Sequence, residues 1–314
     1  MENNNDHSHH HHHHHSQSLP STVTTAFVVG IILNSLFVIT EALAGFFTHS
    51  LSLLADAGHN LSDVASLALA LFANKLALKK ANEKYSFGYR QSTILVALVN
   101  AGILFFALGA VAYEAIIRIS QPHPIEGGMV AIIAGVGIII NAATAMLFFN
   151  DKEKDLNVKS AYLHMASDAL ISLGVVIAGI VMIYTEWFWL DSVMSLLLVV
   201  VIIFGTWGLL KESLRLTLNG VPKEIDINEV RKYFCNLNGV TDVHDLHIWA
   251  ISTTEIALTV HLVIPTNSSE GVPSEQNDFS YENIKEELFH KYNIAHSTIQ
   301  IENNSGQFNC EQKC

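Results

Sequence analysis

Six apolar blocks constrain this chain more than anything else in it, at about residues 22–47, 51–73, 93–117, 128–149, 159–184 and 190–210. Each is near or above the ~20 residues that a helix needs to span hydrocarbon. The chain has 314 residues, 50% hydrophobic and only 15% charged, with mean hydropathy +0.33. Such a sequence is expected to be a membrane protein with a polar appendage, not one globular domain. The expected fold class is therefore a membrane all-α bundle of six transmembrane helices carrying a small α+β domain.

The connections between blocks differ in charge. Lys75, Lys79, Lys80, Lys84 and Arg90 lie between blocks two and three; Lys152 and Lys154 lie between four and five, with Lys159 at the junction. No Lys or Arg separates one from two or five from six, and only Arg118 lies between three and four. The positive-inside rule then places both termini in the cytoplasm. Residues 1–20 are polar, with no basic n-region and no cleavage site, so block one is expected to stay as an anchor. The run His9 to His15, preceded by His7, reads either as a purification tag or as a native metal-collecting tail. A net charge of −12, with no basic stripe, argues against nucleic acid as a partner.

After Gly220 and Pro222 the sequence becomes polar and acidic. Residues 226–237 and 281–292 have helical spacing; 240–251, 255–264 and 297–302 read as strands. The order α-β-β-α-β makes a small α+β sandwich with its helices on one sheet face. About 90 residues is small for independent stability, which favours pairing with a second copy. The expected organisation is a His-rich tail over 1–20, a membrane domain over 21–218, a cytoplasmic domain over 219–303 and a tail with two cysteines over 304–314. Three cysteines are too few for a disulfide framework; Cys235 reads as a small buried hydrophobe, and Cys310 and Cys314 as candidate metal ligands.

Blocks two and five carry the same figure: His59-Asn60-Leu61-Ser62-Asp63 and His164-Met165-Ala166-Ser167-Asp168. His and Asp four apart lie on one helix face, one turn apart. Ionisable groups in lipid-spanning segments cost roughly 2.5–3.5 kcal/mol each and usually mark an ion pathway. At ~1.5 Å per residue, Asp63 lies roughly 16 Å in from one side and Asp168 about 14 Å in from the other. In a ~30 Å core these depths coincide near the midplane, where transporters commonly hold substrate. Two imidazoles and two carboxylates form a complete tetrahedral set for zinc, with cadmium and cobalt as further fits. Histidine also lets protons compete with the metal. A single such pair could simply brace a helix bundle; two at one depth point to a shared ion.

Asp56, three residues before His59, is a candidate for the ion pathway. Glu41, Asn34, Asn100 and Asn141 read as interhelical hydrogen bonding, and Ser62 and Ser167 as small packing residues. In the polar part, His244 and His247 alternate to opposite faces of a strand unless a bulge intervenes. His261 lies on the neighbouring strand and Glu302 on the last. His247, His296, Cys310 and Cys314 are weaker candidates for the same cytoplasmic metal site. No H-E-x-x-H occurs, and four protein ligands leave zinc no position for water, which argues against an intramembrane zinc enzyme. A metal sensor and a metal channel are the remaining alternatives.

The chain resembles the cation diffusion facilitators, of the bacterial zinc-efflux type, from about residue 20 to its end. The resemblance rests on Ser52-Leu53-Leu54-Ala55-Asp56-Ala57-Gly58-His59, the two H-x-x-x-D figures, and Phe87-Gly88-Tyr89-Arg90. It rests also on His244-Asp245-Leu246-His247-Ile248-Trp249 and Thr298-Ile299-Gln300-Ile301-Glu302. It implies a homodimer in the lipid bilayer, each protomer with six transmembrane helices and a ferredoxin-like, metallochaperone-like cytoplasmic domain. The implied activity is proton-coupled zinc export by antiport, without enzymatic chemistry. The motifs carry the transport site onto His59, Asp63, His164 and Asp168, and cytoplasmic zinc ligands onto His244, His261 and Glu302. Cys310 and Cys314 resemble a tail pair that binds zinc in some relatives, with one extra residue between them. Two departures matter. Tyr85 stands where a histidine is common, so no metal site is expected in that loop. The long His-rich loop between helices four and five of many eukaryotic members is missing, which favours a bacterial inner membrane.

Overall fold

The computed structural model describes residues 21–149, 156–264 and 280–302. Six long helices come first: α1 (Ser21–Thr48), α2 (Leu51–Ala77), α3 (Ser92–Ser120), α4 (Gly127–Phe148), α5 (Leu156–Thr185) and α6 (Trp189–Thr217). Among the described residues, four stretches are long and apolar enough to cross a membrane: Ser92–Ser120, Gly127–Leu147, Tyr162–Thr185 and Trp189–Thr217. Ile32–Thr48 of α1 is apolar as well. Helix α2 is not among the four, and it is the helix that carries Asp56, His59, Asn60 and Asp63. The helices turn large apolar side chains outward; Phe106, Ile139, Leu170 and Phe204 are all exposed. In water that surface would aggregate, whereas in lipid it is the stable outer face.

Small residues set the closest helix contacts, as expected where lipid supplies no hydrophobic drive between helices. A Cβ on Gly127 of α4 would lie 2.7 Å from the carbonyl oxygen of Gly179 on α5. A Cβ on Gly137 would lie 2.7 Å from the Phe37 ring of α1 and 3.4 Å from Ser172 Oγ of α5. Helices α1, α4 and α5 therefore converge at that level.

The turn into α2 is held by an acid from another helix. Asp191, in the first turn of α6, is fully buried. It accepts hydrogen bonds from Ser50 Oγ (2.7 Å), Leu51 N (2.7 Å), Ser52 Oγ (2.5 Å) and Ser52 N (3.3 Å). The free N–H groups of a helix start thus meet a carboxylate, which also suits the positive end of the helix dipole.

The polar part contains α7 (Ile227–Cys235), β1 (Asp242–Ala250), β2 (Ile256–Val263), α8 (Tyr281–Tyr292) and β3 (Ile294–Glu302). The expected order α-β-β-α-β is what forms. In the three-stranded sheet, order β1-β2-β3, β1 and β2 are antiparallel and β2 and β3 parallel. Val230 and Phe234 of α7 and Ile284 and Leu288 of α8 close a core with Val243, Leu246, Ile248, Val260 and Leu262 of the strands. Strand β3 begins three residues before the expected 297. Asn293, left-handed at φ 55, ends α8 and turns the chain directly into the strand.

This domain meets the membrane helices at the α2–α3 end. Arg90 Nη1 lies 2.6 Å from Glu255 Oε2, and Thr253 N donates to Thr93 Oγ1 at 3.1 Å. The sheet is thereby fixed on the side of the bundle that carries Lys75, Lys79 and Lys80.

Candidate metal centres

Helices α2 and α5 bring all four residues of the doubled figure together. His164 Nε2 lies 3.0 Å from Asp63 Oδ2 and 3.6 Å from Asp168 Oδ2. His59 Nε2 lies 3.6 Å from Asp63 Oδ2 and 3.8 Å from Asp168 Oδ1. Ligands arranged tetrahedrally at zinc bond lengths stand about 3.4 Å apart. The four imidazole–carboxylate separations bracket that value, and His59, His164 and Asp168 each offer a ligand atom within 4.8 Å of the other two.

Burial supports the same reading. Asp168 is buried, and its Oδ2 makes no hydrogen bond among the described residues. A buried carboxylate oxygen without a partner is costly, and a cation is what relieves it. The His59 side chain is only 12% exposed, whereas His164 and Asp63 are at 39% and 35%. One edge of the site therefore faces an opening. Each imidazole rests against both carboxylates.

Asp56, the expected pathway residue, is buried one turn along α2, where Ser172 Oγ of α5 donates to its Oδ2 at 3.4 Å. The expected hydrogen bonding of the other polar helix residues holds for Asn100, whose Nδ2 donates to Ser66 Oγ at 2.5 Å. Asn141 does not follow it, and Glu41 faces Asp56 and Asn60 of α2 without a well-formed hydrogen bond. Both oxygens of Glu41, both polar atoms of Asn141, and Asn34 Oδ1 are buried without a hydrogen-bond partner among the described residues.

The second cluster lies on the sheet face turned away from α7 and α8. His244 pairs with His261 across β1 and β2, their ring centroids 5.3 Å apart. His261 Nδ1 lies 2.9 Å from Glu302 Oε1, and His244 Nε2 lies 3.3 Å from Glu302 Oε2. His244 Nε2 is buried and makes no hydrogen bond of normal geometry among the described residues, again an orphan aimed at its neighbours. The pairing register slips between His244 and His247, and Asp245 there has φ 53. This bulge reverses the alternation, so that Val243 and Leu246 both enter the core and His244 and His247 share the outer face.

His247 is mostly exposed and reaches the cluster only through Asp245, whose Oδ1 it meets at 2.9 Å and whose Oδ2 lies 3.5 Å from His261 Nε2. Asp245 is a contributor that the sequence reading did not single out; its signal is an acid between two histidines at a position that only a bulge can turn outward. His296 is not brought to the cluster. It pairs with Ala257 at one end of β3, while Glu302 pairs with Val263 at the other, and its Nε2 lies 3.1 Å from Arg90 Nη1. Cys310, Cys314 and the run from His7 to His15 lie outside the described residues.

Known proteins place the chain. The family model described as "Cation efflux transmembrane domain" matches residues 27–217, and "Cation efflux protein, cytoplasmic domain" matches residues 222–304. The "Zinc transporter ZitB" of Yersinia pestis is 38% identical over 272 residues, 86% of this chain and 85% of that protein. The "Metal cation efflux system protein CzcD" of Cupriavidus metallidurans is 38% identical over 276 residues, 87% of this chain and 85% of that protein. The "Cadmium, cobalt and zinc/H(+)-K(+) antiporter" of Bacillus subtilis is 35% identical over 268 residues, 85% of each chain. With both halves matched and similarity sustained over most of its length, the chain is a multi-pass membrane transporter and belongs to the cation efflux family.

Proposed function

We propose that this protein exports Zn²⁺ from the cytoplasm in exchange for protons, by alternating access at His59, Asp63, His164 and Asp168. The convergence of four side chains from two helices, with imidazole–carboxylate separations of 3.0 to 3.8 Å, carries the reading. The names of the relatives support zinc as cargo, with cadmium and cobalt as further substrates. In this reading α1 and α2 also cross the bilayer, making six spans, with both termini in the cytoplasm of a bacterial cell and 219–303 as the cytoplasmic domain. Helix α2 is less apolar because it carries the site, and most of its first half, from Leu51 to Asn60, is packed among its neighbours.

Coupling follows from the ligands. Each imidazole has a carboxylate within 4 Å, so protons arriving from the outer side displace the ion toward that side. Proteoliposomes with an acid interior should take up external zinc faster than those without a pH gradient. Equal rates would point to a channel, and binding without uptake to a sensor.

His244, His261 and Glu302 form a second zinc site that favours contact between two copies, and the protein works as a homodimer. Glu302→Ala removes the one carboxylate that touches both histidines. It should lower the bound zinc by at least one ion per protomer and weaken zinc-dependent dimer contact, read by metal analysis and light scattering. Flux at saturating zinc should persist.

A further inference from the structure

One buried polar group of the membrane domain has no part in the four-ligand site. The carboxyl of Glu41, fully buried on α1, faces the Asp56 carboxyl and the Asn60 amide of α2. Among the described residues, neither Glu41 oxygen nor either polar atom of the Asn60 side chain makes a hydrogen bond of normal geometry, although Asn60 is fully buried. Asp56, 3% exposed, accepts from Ser172 Oγ at 3.4 Å. Two carboxyls, an amide and a hydroxyl thus converge in hydrocarbon with the Glu41 oxygens and the Asn60 amide poorly satisfied.

We propose that Glu41, Asp56, Asn60 and Ser172 form a second, oxygen-only cation position, through which the transported ion leaves the four-ligand site.

Place and donor chemistry both carry this. Helix α2 runs away from Leu51 toward the end where Arg90 meets the soluble domain. Asp56 is therefore about one turn, roughly 5 Å, farther from that domain than His59. An ion entering beside the soluble domain meets the imidazoles first and the oxygen group afterwards. Two carboxylates in contact in a low-dielectric interior repel strongly unless a positive charge lies between them. A proton shared by the two acids would still leave the Asn60 amide orphaned; a divalent cation takes its Oδ1 as well. Imidazole holds zinc better than oxygen alone does, since oxygen sets suit harder cations. The second position is then the weaker of the two, as release requires. The proposal rests on the transport reading, in that it makes this group the exit step.

Cadmium-113 NMR of the full chain in lipid nanodiscs tests it, because oxygen-only and imidazole-containing cadmium sites resonate apart. An oxygen-only resonance is expected that disappears in Glu41→Gln and persists in His164→Ala. Should Glu41→Gln fail to fold, Ser172→Ala keeps both carboxyls and should raise the cadmium concentration at which the resonance appears several-fold. No Glu41-dependent or Ser172-dependent oxygen-only resonance, or its loss in His164→Ala, overturns the proposal. Such a result leaves the four-ligand reading intact, since zinc flux in a variant of that site decides it separately.

Discussion

Asp168→Asn is expected to reduce zinc flux in proteoliposomes to background. Asp168 is the most deeply buried of the four ligands, at 2% exposure, and faces both imidazoles. Replacing its carboxylate by an amide leaves three ligands and removes one of two negative charges that balance a divalent ion. Breaking a buried charge pair on one side costs about 3–5 kcal/mol, or ~10²–10³-fold in affinity. The amide keeps the shape of the acid, so the helices should still pack. Ser167→Ala is the matched control. Its hydroxyl is exposed and donates back to Leu163 O within the same helix at 2.8 Å. Flux in that variant should stay within about twofold, as surface changes away from such features are near neutral.

Asp191→Ala should have the second large effect, on folding and not on metal ligands. Its carboxylate accepts from four donors at the start of α2, and all of them are buried. Truncation strands two backbone N–H groups and two hydroxyls in a dry interior. Orphaned donors cost roughly 1–3 kcal/mol each, partly relieved because Ser50 Oγ also accepts from Leu53 N and contacts Ser52 Oγ. A net loss of about 3–5 kcal/mol corresponds to a fall of roughly 10 °C in Tm for a domain of this size. Thermal unfolding in detergent reads it directly. Flux should fall with the amount of folded protein, whereas the folded fraction should still bind zinc at the four-ligand site. Asp191→Asn keeps two acceptor lone pairs and should lie between the two.

The transport site was legible because a helix repeats every 3.6 residues. His59 and Asp63, like His164 and Asp168, sit four apart, and no tertiary knowledge is needed to place each pair on one face. Their meeting followed from depth alone, since two antiparallel spans entered from opposite sides share one midplane. Asp191 was not legible in this way. A lone acid at the start of an apolar block carries no period, and its partners lie about 140 positions away in sequence.

In the soluble domain the strands and helices were readable from alternation and spacing, but the bulge at Asp245 was not. Simple alternation puts His244 and His247 on opposite faces; one inserted residue puts them on the same face and adds Asp245 between them. His296 fails for a related reason. Strand β3 starts at Ile294 and not at 297, which places His296 on the strand itself, six positions before Glu302 and about 20 Å away at strand rise. Glu41 shows the limit of a generic rule. Polar side chains in membrane helices usually find each other, yet this one faces a second acid, a juxtaposition set by how α1 leans on α2.

One ion shared by α2 and α5 underlies the proposed transport. Anomalous scattering at the zinc edge from crystals of the full chain grown with Zn²⁺ measures this directly. A single peak is predicted about 2 Å from His59 Nε2, His164 Nε2 and one oxygen each of Asp63 and Asp168. Zinc bound only at the soluble domain, with these four side chains paired to one another and no peak between them, would contradict it.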